Sequence, residues 1–209
     1  MSCLEKNDFF NVDKLEHGRR GLHGFFTQCF LLVFLINNKM NYLEPLHAIN
    51  TFIFDVDGVL TNNELLITES GELLRAMNAR DGYVMKLALE SDYRICIITG
   101  GKSEGVVSRL RGLGITDIYK GINDKVAAFE EYCDLYDISP ANVLYMGDDI
   151  PDYDVMRLVA MPTCPADAAP EIKRIAQYVS PFAGGKGCVR DVIERVLRLH
   201  GKWVVTEEQ

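Results

Sequence analysis

The sequence predicts an α/β fold, a three-layer α/β/α sandwich built around a mostly parallel sheet. Short apolar runs at residues 51–54, 94–98, 115–119 and 143–146 alternate with segments of helical apolar spacing, the pattern of strands and helices stacked in layers. Three of these runs are followed directly by short sequences of polar residues and glycine, namely D-V-D-G, T-G-G and G-D-D. Because sheets of this class bind ligands at the carboxyl ends of their strands, the pattern predicts one site at that edge.

The remaining elements follow from local spacing. Two short β-like runs flank Ser70 and Gly71, which predicts a β-hairpin. After the first strand, the predicted elements are a hairpin of runs 64–68 and 72–77, a helix at 83–90, a strand at 94–98, a helix to about residue 111, a strand at 115–119, a helix at 124–136, a strand at 143–146, a helix, a short strand near residue 161 and a final helix at about 189–200.

Composition limits the classes of function. The chain has 209 residues, which suits one domain with a full core or one domain plus an appendage. Its net charge is -8. The lack of a broad basic excess argues against a general nucleic-acid binder, although a local positive pocket can still accept a small anion. The six cysteines are scattered without a C-x-x-C pair, so we expect reduced thiols, no structural zinc and a cytoplasmic location.

Residues 1–40 differ in character from the rest. An apolar run at 25–36 follows a basic pair, but it is too short to span a bilayer comfortably. It resembles a signal peptide, yet no small-x-small cleavage site follows. We favour a third interpretation, that translation begins at Met40. The predicted organisation is therefore an extension at 1–40 outside the fold, a domain at 41–200 and a mobile tail at 201–209.

The acidic pair Asp55 and Asp57 follows the first strand directly, with Gly58 after it. Two close carboxylates repel each other unless a cation or proton intervenes, and Mg²⁺ suits oxygen ligands of this kind. Taken alone, a D-x-D sequence is equally consistent with a solvated turn.

The other strand ends supply what phosphoryl transfer requires. Asp55 is the predicted nucleophile, forming an aspartyl-phosphate. Asp57 is the predicted acid and base, protonating the leaving oxygen and then activating water. Thr99 and the Gly100 amide would bind phosphate oxygens, and Lys125 would pair with the phosphate and Asp55.

A further cluster of acids follows the strand at 143–146. Asp148 is predicted to hold Mg²⁺ with Asp55, while Asp149 and Asp152 act as ligands or orient the ligands. Each residue has a simpler interpretation by itself, since Lys125 could be a solvated helix residue and these acids could favour a helix start. The ordered set at strand ends and helix starts favours the functional interpretation.

With these motifs, residues 50–200 resemble the haloacid dehalogenase superfamily of Asp-dependent, Mg²⁺-dependent phosphatases, which have a Rossmann-like sheet. The four family motifs correspond to residues 55–61, Thr99, Lys125 and residues 147–152. The resemblance implies that the metal takes one oxygen from Asp55, the backbone carbonyl of Asp57 and a carboxylate oxygen from Asp148.

The chain resembles one subclass in particular. It has no stretch long enough for a cap domain, and the predicted hairpin takes its place as a flap. This is similar to the capless 3-deoxy-D-manno-octulosonate 8-phosphate (KDO 8-phosphate) phosphatases of lipopolysaccharide precursor synthesis. The resemblance implies a sugar-acid phosphate substrate, a homotetramer whose hairpins meet centrally, and a Gly-rich segment at 184–187 that folds over the site. It also implies sugar-side residues, which would be Asn78, Arg80, Asp81, Gly82, Lys86 and Arg109.

One position departs from that subclass. Gly101 stands where these phosphatases often carry Arg, and Lys102 or Lys86 could replace the charge. The alternative substrates are therefore 2-keto-3-deoxy-nonulosonate 9-phosphate and other sugar phosphates.

Two unrelated classes share part of the pattern. A phospho-acceptor receiver domain has acids, a hydroxyl and a lysine at strand ends, but lacks an acid/base two residues after its nucleophile, and Asp57 argues against it. A P-loop is suggested by Gly101, Lys102 and Ser103, but it needs a glycine where Cys96 stands.

Overall fold

The computed structural model describes residues 43–203. The predicted extension at 1–40 and residues 204–209 of the predicted tail lie outside the described residues. Within the rest of the tail, the Lys202 amide donates a hydrogen bond to the Leu197 carbonyl at 2.8 Å, and Trp203 packs against the apolar core. Among residues 43–203, none of the helices has the length and apolar character needed to cross a bilayer.

Six parallel strands form the main sheet, in the order β5-β4-β1-β6-β7-β8. The eight strands of the described chain are β1 Thr51–Phe54, β2 Leu66–Ile67, β3 Leu73–Leu74, β4 Arg94–Thr99, β5 Asp117–Lys120, β6 Val143–Met146, β7 Met161–Cys164 and β8 Tyr178–Val179. Strand β1 is central, and Phe54 lies level with Ile97 of β4 and Met146 of β6. The ends of these three strands therefore lie side by side.

Helices connect the strands and cover both faces of the sheet. They are α1 Leu43–Leu46, α2 Ala79–Glu90, α3 Glu104–Gly112, α4 Lys125–Tyr136, α5 Tyr153–Met156, α6 Pro170–Ile175 and α7 Cys188–Leu199. Short 3-10 turns at Pro140–Asn142 and Ile150–Asp152 precede β6 and α5.

Side chains of β1 alternate between two separate cores. Phe52 and Phe54 pack with residues of α2, α3 and α7 on one face of the sheet. Ile53 packs on the other face with residues of α4, α5 and α6. A buried parallel strand is apolar on both faces because both are covered by helices. The predicted three-layer α/β/α sandwich with a parallel sheet is confirmed.

The predicted hairpin is present as the antiparallel pair β2 and β3. Its ladder is only two residues long on each side, so the strands are shorter than the apolar runs. Helix α6 and strand β8 were not predicted. Strand β8 consists of two residues at the sheet edge, and so short a segment has no periodicity that distinguishes it from a loop.

Candidate active site

Neighbouring strand ends bring together the side chains that the motifs contain. Asp55 follows β1, Thr99 ends β4, and Asp148 lies two residues after β6. All three are buried, with 7%, 5% and 6% of their surface exposed. Burial of two carboxylates at one sheet edge is costly without a cation or hydrogen bonds, which marks this edge as the candidate site.

The loop at Val56–Leu60 is shaped by Gly58. Its φ of 87° lies in the left-handed region, where a glycine is favoured. A Cβ at this position would come 2.0 Å from Asp148 Oδ2. Gly58 thus permits both the turn and the close approach of the Asp148 carboxylate.

Lys125 forms the central ion pair of the site. Its Nζ lies 2.9 Å from Asp55 Oδ2 and 2.7 Å from Asp152 Oδ1, and all three groups are buried. Burial alone would lower the pKa of Lys125, but the charges of Asp55 and Asp152 raise it overall. The ammonium therefore stays protonated and supplies a fixed positive charge beside Asp55.

Asp152 is held in place by three donors. Its Oδ1 accepts from Lys125 Nζ and from the Tyr145 hydroxyl at 2.7 Å each, and its Oδ2 accepts from the Asp148 amide at 3.2 Å. A carboxylate so engaged orients its neighbours more readily than it binds a metal. These contacts hold Lys125 and the backbone amide of Asp148 in place.

The donor set fits a divalent cation. Asp55, Asp148 and Asp152 each offer an oxygen within 4.8 Å of the others, and all are buried. Burial and Asp152 raise the pKa of Asp55 to about 6, against the opposing effect of Lys125. Burial, Asp55 and Asp152 raise the pKa of Asp148 to about 7. One lysine does not balance three carboxylates, and a hard cation with oxygen ligands would do so.

Asp149 has a different role from its neighbour. It is exposed and its Oδ1 accepts from the Ile150 amide at 2.8 Å, which caps the short turn Ile150–Asp152. It acts on the site through its charge, which contributes to the raised pKa of Asp148.

Asp57 forms an ion pair that was not predicted from the sequence. Arg75, which directly follows β3, donates from Nε to Asp57 Oδ1 at 2.6 Å and from Nη2 to Oδ2 at 3.0 Å. The Arg75 side chain is only 8% exposed, whereas that of Asp57 is 32% exposed. The predicted acid/base is therefore held by the hairpin.

The loop after β4 lies beside this pair. The Thr99 hydroxyl accepts from the Gly101 amide at 3.1 Å. A Cβ at Gly101 would lie 3.4 Å from Thr99 Oγ1, 3.5 Å from Asp57 Oδ2 and 3.7 Å from Arg75 Nη2. Gly100 is exposed between Thr99 and Gly101.

The predicted sugar-side residues are spread over α2 and α3. Asn78 caps α2, since its Oδ1 accepts from the Arg80 amide at 2.8 Å, and Arg80 itself is exposed. Asp81 is 1% exposed, and its Oδ1 accepts from the Arg190 amide at 2.8 Å at the start of α7. Asp81 thus joins α2 to α7, and its burial raises its pKa.

Gly82 and Arg109 are neighbours, because a Cβ on Gly82 would lie 2.7 Å from Arg109 Nη2. Lys86 is exposed and pairs with Glu90 at 3.7 Å on α2. Lys102 packs along Gly121, where a Cβ would lie 3.1 Å from its Cε. The guanidinium of Arg75, on the hairpin, lies beside Gly101.

Three residues of the site were not predicted from the sequence. Arg75 interrupts the apolar residues Leu73, Leu74, Ala76 and Met77 of the hairpin, and this was the available signal. Tyr145 lies inside β6 like any core residue, and its hydroxyl partner is visible only in three dimensions. Asn63 has a φ of 65° and donates from Nδ2 to Asp148 Oδ2 at 2.9 Å; its sequence letter alone gave no indication.

Comparisons with known proteins agree with this geometry. A family model described as haloacid dehalogenase-like hydrolase matches residues 106–190. A 3-deoxy-D-manno-octulosonate 8-phosphate phosphatase of Escherichia coli (strain K12) is 43% identical over 154 residues, covering 74% of this chain and 82% of that protein.

Solved structures are similar over most of the described chain. A structure from Vibrio cholerae, described as that of a KDO 8-phosphate phosphatase, has a TM-score of 0.77 and 37% identity, covering 80% of this chain and 93% of that one. The enzyme of Moraxella catarrhalis, solved with a magnesium ion, a phosphate ion and KDO, has a TM-score of 0.74 and 28% identity, covering 77% and 92%. This chain belongs to the haloacid dehalogenase-like hydrolase family, in the branch that contains these phosphatases.

Proposed function

We propose that this chain is an Mg²⁺-dependent phosphatase that hydrolyses KDO 8-phosphate to KDO and phosphate. The observation that carries the proposal is the buried arrangement of Asp55, Lys125, Asp152 and Asp148 at the end of β1 and β6. It is the arrangement that a carboxylate nucleophile and a cation require, in a chain 43% identical to a phosphatase of this specificity.

The first half of the reaction forms an aspartyl-phosphate. A carboxylate oxygen of Asp55 attacks phosphorus, the bond to the sugar oxygen breaks, and Asp57 gives that oxygen its proton. Lys125 neutralises charge at Asp55 and the phosphoryl oxygens, while Thr99 and the Gly100 amide donate to those oxygens.

The second half releases phosphate. Asp57, now a carboxylate, takes a proton from a water molecule as that water attacks phosphorus, and the bond to Asp55 breaks. Asp55 and Asp148, with the carbonyl of Asp57, would hold Mg²⁺, which when bound neutralises the charge of the transferred group. The Arg75 pair must open before Asp57 can carry the proton of the first half.

Assembly as a homotetramer is part of the proposal. The hairpin exposes five large apolar side chains, with exposed fractions from 45% to 68%, namely Leu65, Leu66, Ile67, Leu73 and Leu74. Contiguous exposed apolar surface of this kind marks an interaction site. A second copy is the partner we propose, with the hairpins meeting centrally.

A cytoplasmic location accompanies this assignment. The four cysteines within residues 43–203, namely Cys96, Cys133, Cys164 and Cys188, are buried and unpaired. Free thiols are the usual state in a reducing compartment. Neither nucleic acid nor a membrane is a proposed partner, in keeping with the net charge of -8.

The test is a panel of phosphate esters compared by kcat/KM in the presence of Mg²⁺. We expect KDO 8-phosphate to exceed 2-keto-3-deoxy-nonulosonate 9-phosphate and neutral hexose phosphates, with all turnover abolished by EDTA and restored by Mg²⁺. A preference for a neutral hexose phosphate would overturn the substrate assignment but would leave the proposed phosphatase chemistry unaffected. A stable phosphoprotein without turnover would instead indicate a receiver domain.

A further inference from the structure

The hairpin contributes one charged side chain to the candidate site. The apolar residues of β2 and β3 are exposed, but the Arg75 side chain turns inward and is 8% exposed. Its Nη1 donates to the Leu73 carbonyl at 3.2 Å, which leaves Nε and Nη2 to form the two bonds to Asp57. A guanidinium presents this fork to carboxylates and phosphates alike.

The pair lies on the more solvent-exposed side of the site. Asp57 is 32% exposed, far more than Asp55 or Asp148. The Arg75 Nη2 atom lies 3.7 Å from the position of a Cβ on Gly101, beside the loop that contains Thr99. Because Gly101 has no side chain, nothing from that position separates the guanidinium from a group bound at Thr99 and Gly100.

The pair also conflicts with the first half of the reaction. Both carboxylate oxygens of Asp57 are engaged by the Arg75 guanidinium, so neither is free to contact a leaving oxygen. The other cation of the site, Lys125, is already shared by Asp55 and Asp152. The cation that a bound anion could take over is therefore the Arg75 guanidinium. Asp57 would then have to give up its two bonds to that guanidinium.

We propose that Arg75 is a substrate-binding residue that exchanges partners: it pairs with Asp57 in the unliganded enzyme and binds an anionic oxygen of the substrate when the site is filled. This inference rests on the proposed function, which supplies both a phosphoryl group and a sugar-acid carboxylate as candidate partners. The exchange frees Asp57 as the anion is bound, and so couples the release of the acid/base to the presence of a charged substrate.

The first experiment uses p-nitrophenyl phosphate as a common substrate, with inorganic phosphate and KDO as separate competitive inhibitors. In Arg75→Gln we expect the inhibition constant of at least one anion to rise on the order of tenfold or more, as for loss of a hydrogen-bonded charged partner. A rise for phosphate alone assigns Arg75 to the phosphoryl group, and a rise for KDO alone assigns it to the carboxylate. Arg75→Lys keeps the charge without the fork and should lie between.

The matched control is Arg174→Gln, which removes an exposed arginine paired with Glu171 on α6; both inhibition constants should stay at the wild-type values. If Arg75→Gln and Arg75→Lys are folded and neither constant changes by more than about twofold, Arg75 only braces the hairpin and the inference is wrong. If Arg75→Gln does not fold, unchanged constants in Arg75→Lys lead to the same conclusion, because a lysine cannot reproduce the fork.

The second experiment measures binding of the same two anions by calorimetry. Asp57→Asn removes the competitor for the guanidinium, so binding should tighten severalfold. In the double variant with Arg75→Gln, the tightening should be lost, which separates the release of Arg75 from the simple removal of a negative charge. Equal tightening with and without Arg75 would refute the exchange of partners. These assays need no KDO 8-phosphate, so failure of the substrate assignment would be seen separately in the ester panel.

Discussion

The Lys125 ammonium lies between two carboxylates, 2.9 Å from Asp55 Oδ2 and 2.7 Å from Asp152 Oδ1. Asp55 follows β1, Lys125 begins α4, and Asp152 ends the turn after β6. Three separate segments thus meet at one ammonium. This contact fixes the predicted nucleophile with one oxygen toward Lys125 and the other toward the Val56 amide, 2.7 Å away.

Replacing the nucleophile tests the covalent route. Asp55→Asn keeps the shape but removes the attacking carboxylate, so kcat with Mg²⁺ should fall by on the order of 10³-fold or more. Phosphate release measures the loss, and an acid-quenched phosphoprotein should form only in wild type. Asp134→Asn, an exposed position on α4, serves as the control. Wild-type turnover by Asp55→Asn would exclude Asp55 as nucleophile.

Removing the shared ammonium should lower the free energy of unfolding. Lys125→Met leaves the buried carboxylates of Asp55 and Asp152 without their cation, and loss of one partner from a buried pair costs about 3–5 kcal/mol. The free energy of unfolding from urea titration in EDTA provides the measurement. Lys120→Met breaks the exposed pair with Glu104 and should cost less than about 1 kcal/mol. Equal changes in the free energy of unfolding for the two variants would show that the buried pair contributes no more to stability than the exposed one.

Metal removal should make stability depend on pH in one direction. The raised pKa values of Asp55, about 6, and Asp148, about 7, mean that the folded metal-free protein holds protons that the unfolded chain has released. Its free energy of unfolding should therefore be highest below about pH 4 and fall as the pH rises to about 7. Thermal melting in EDTA from pH 4 to 8 measures this fall.

The same melting experiments test whether the metal-binding carboxylates cause this pH dependence. With Mg²⁺ the fall should be largely removed, because the cation stabilises the ionised form. Asp148→Asn should melt higher than wild type in EDTA at pH 8 and gain little from Mg²⁺. A wild-type protein whose melting temperature rises from pH 4 to 7 in EDTA would contradict the prediction.

The Gly-rich segment at 184–187 packs on the loop that follows β1. A Cβ at Gly184 would come 2.0 Å from the Gly58 carbonyl oxygen, and the Gly185 amide donates to the Val59 carbonyl at 2.9 Å. Gly184→Ala should therefore push the loop aside, costing about 1–3 kcal/mol and lowering kcat. Gly112→Ala, with open space around it, should be neutral or stabilising by up to about 1 kcal/mol. Chemical denaturation with activity assays compares them.

The exposed hairpin provides a test of assembly. Ile67 is 68% exposed, and Ile67→Lys places a charge on the apolar surface proposed to meet other copies. We expect the wild type to sediment as a tetramer and the variant to dissociate, since an unpaired charge at an apolar interface is costly. Leu135→Lys changes an equally exposed residue on α4 and should leave assembly intact. A wild-type protein that sediments as a monomer would contradict the proposed tetramer.

The layer architecture and the chemical type of the site could be predicted from the order of residues alone. Apolar runs such as 51–54 are readable as strands because both faces of a parallel strand are buried. The acids after these runs are informative because strand ends of one sheet meet at one edge. Residues such as Asp55, Thr99 and Asp148 could therefore be assigned to one site from the order of motifs alone.

The contacts between side chains within that site became visible only in the folded chain. Asp57, in the loop after β1, is paired with Arg75 of the hairpin, and Asp152 is engaged by Lys125 and Tyr145. A hydrogen bond forms only when donor and acceptor are placed to within a few tenths of an ångström, and these side chains are far apart in the sequence. Local pattern carries the period of each element, whereas such contacts appear only when the elements are packed.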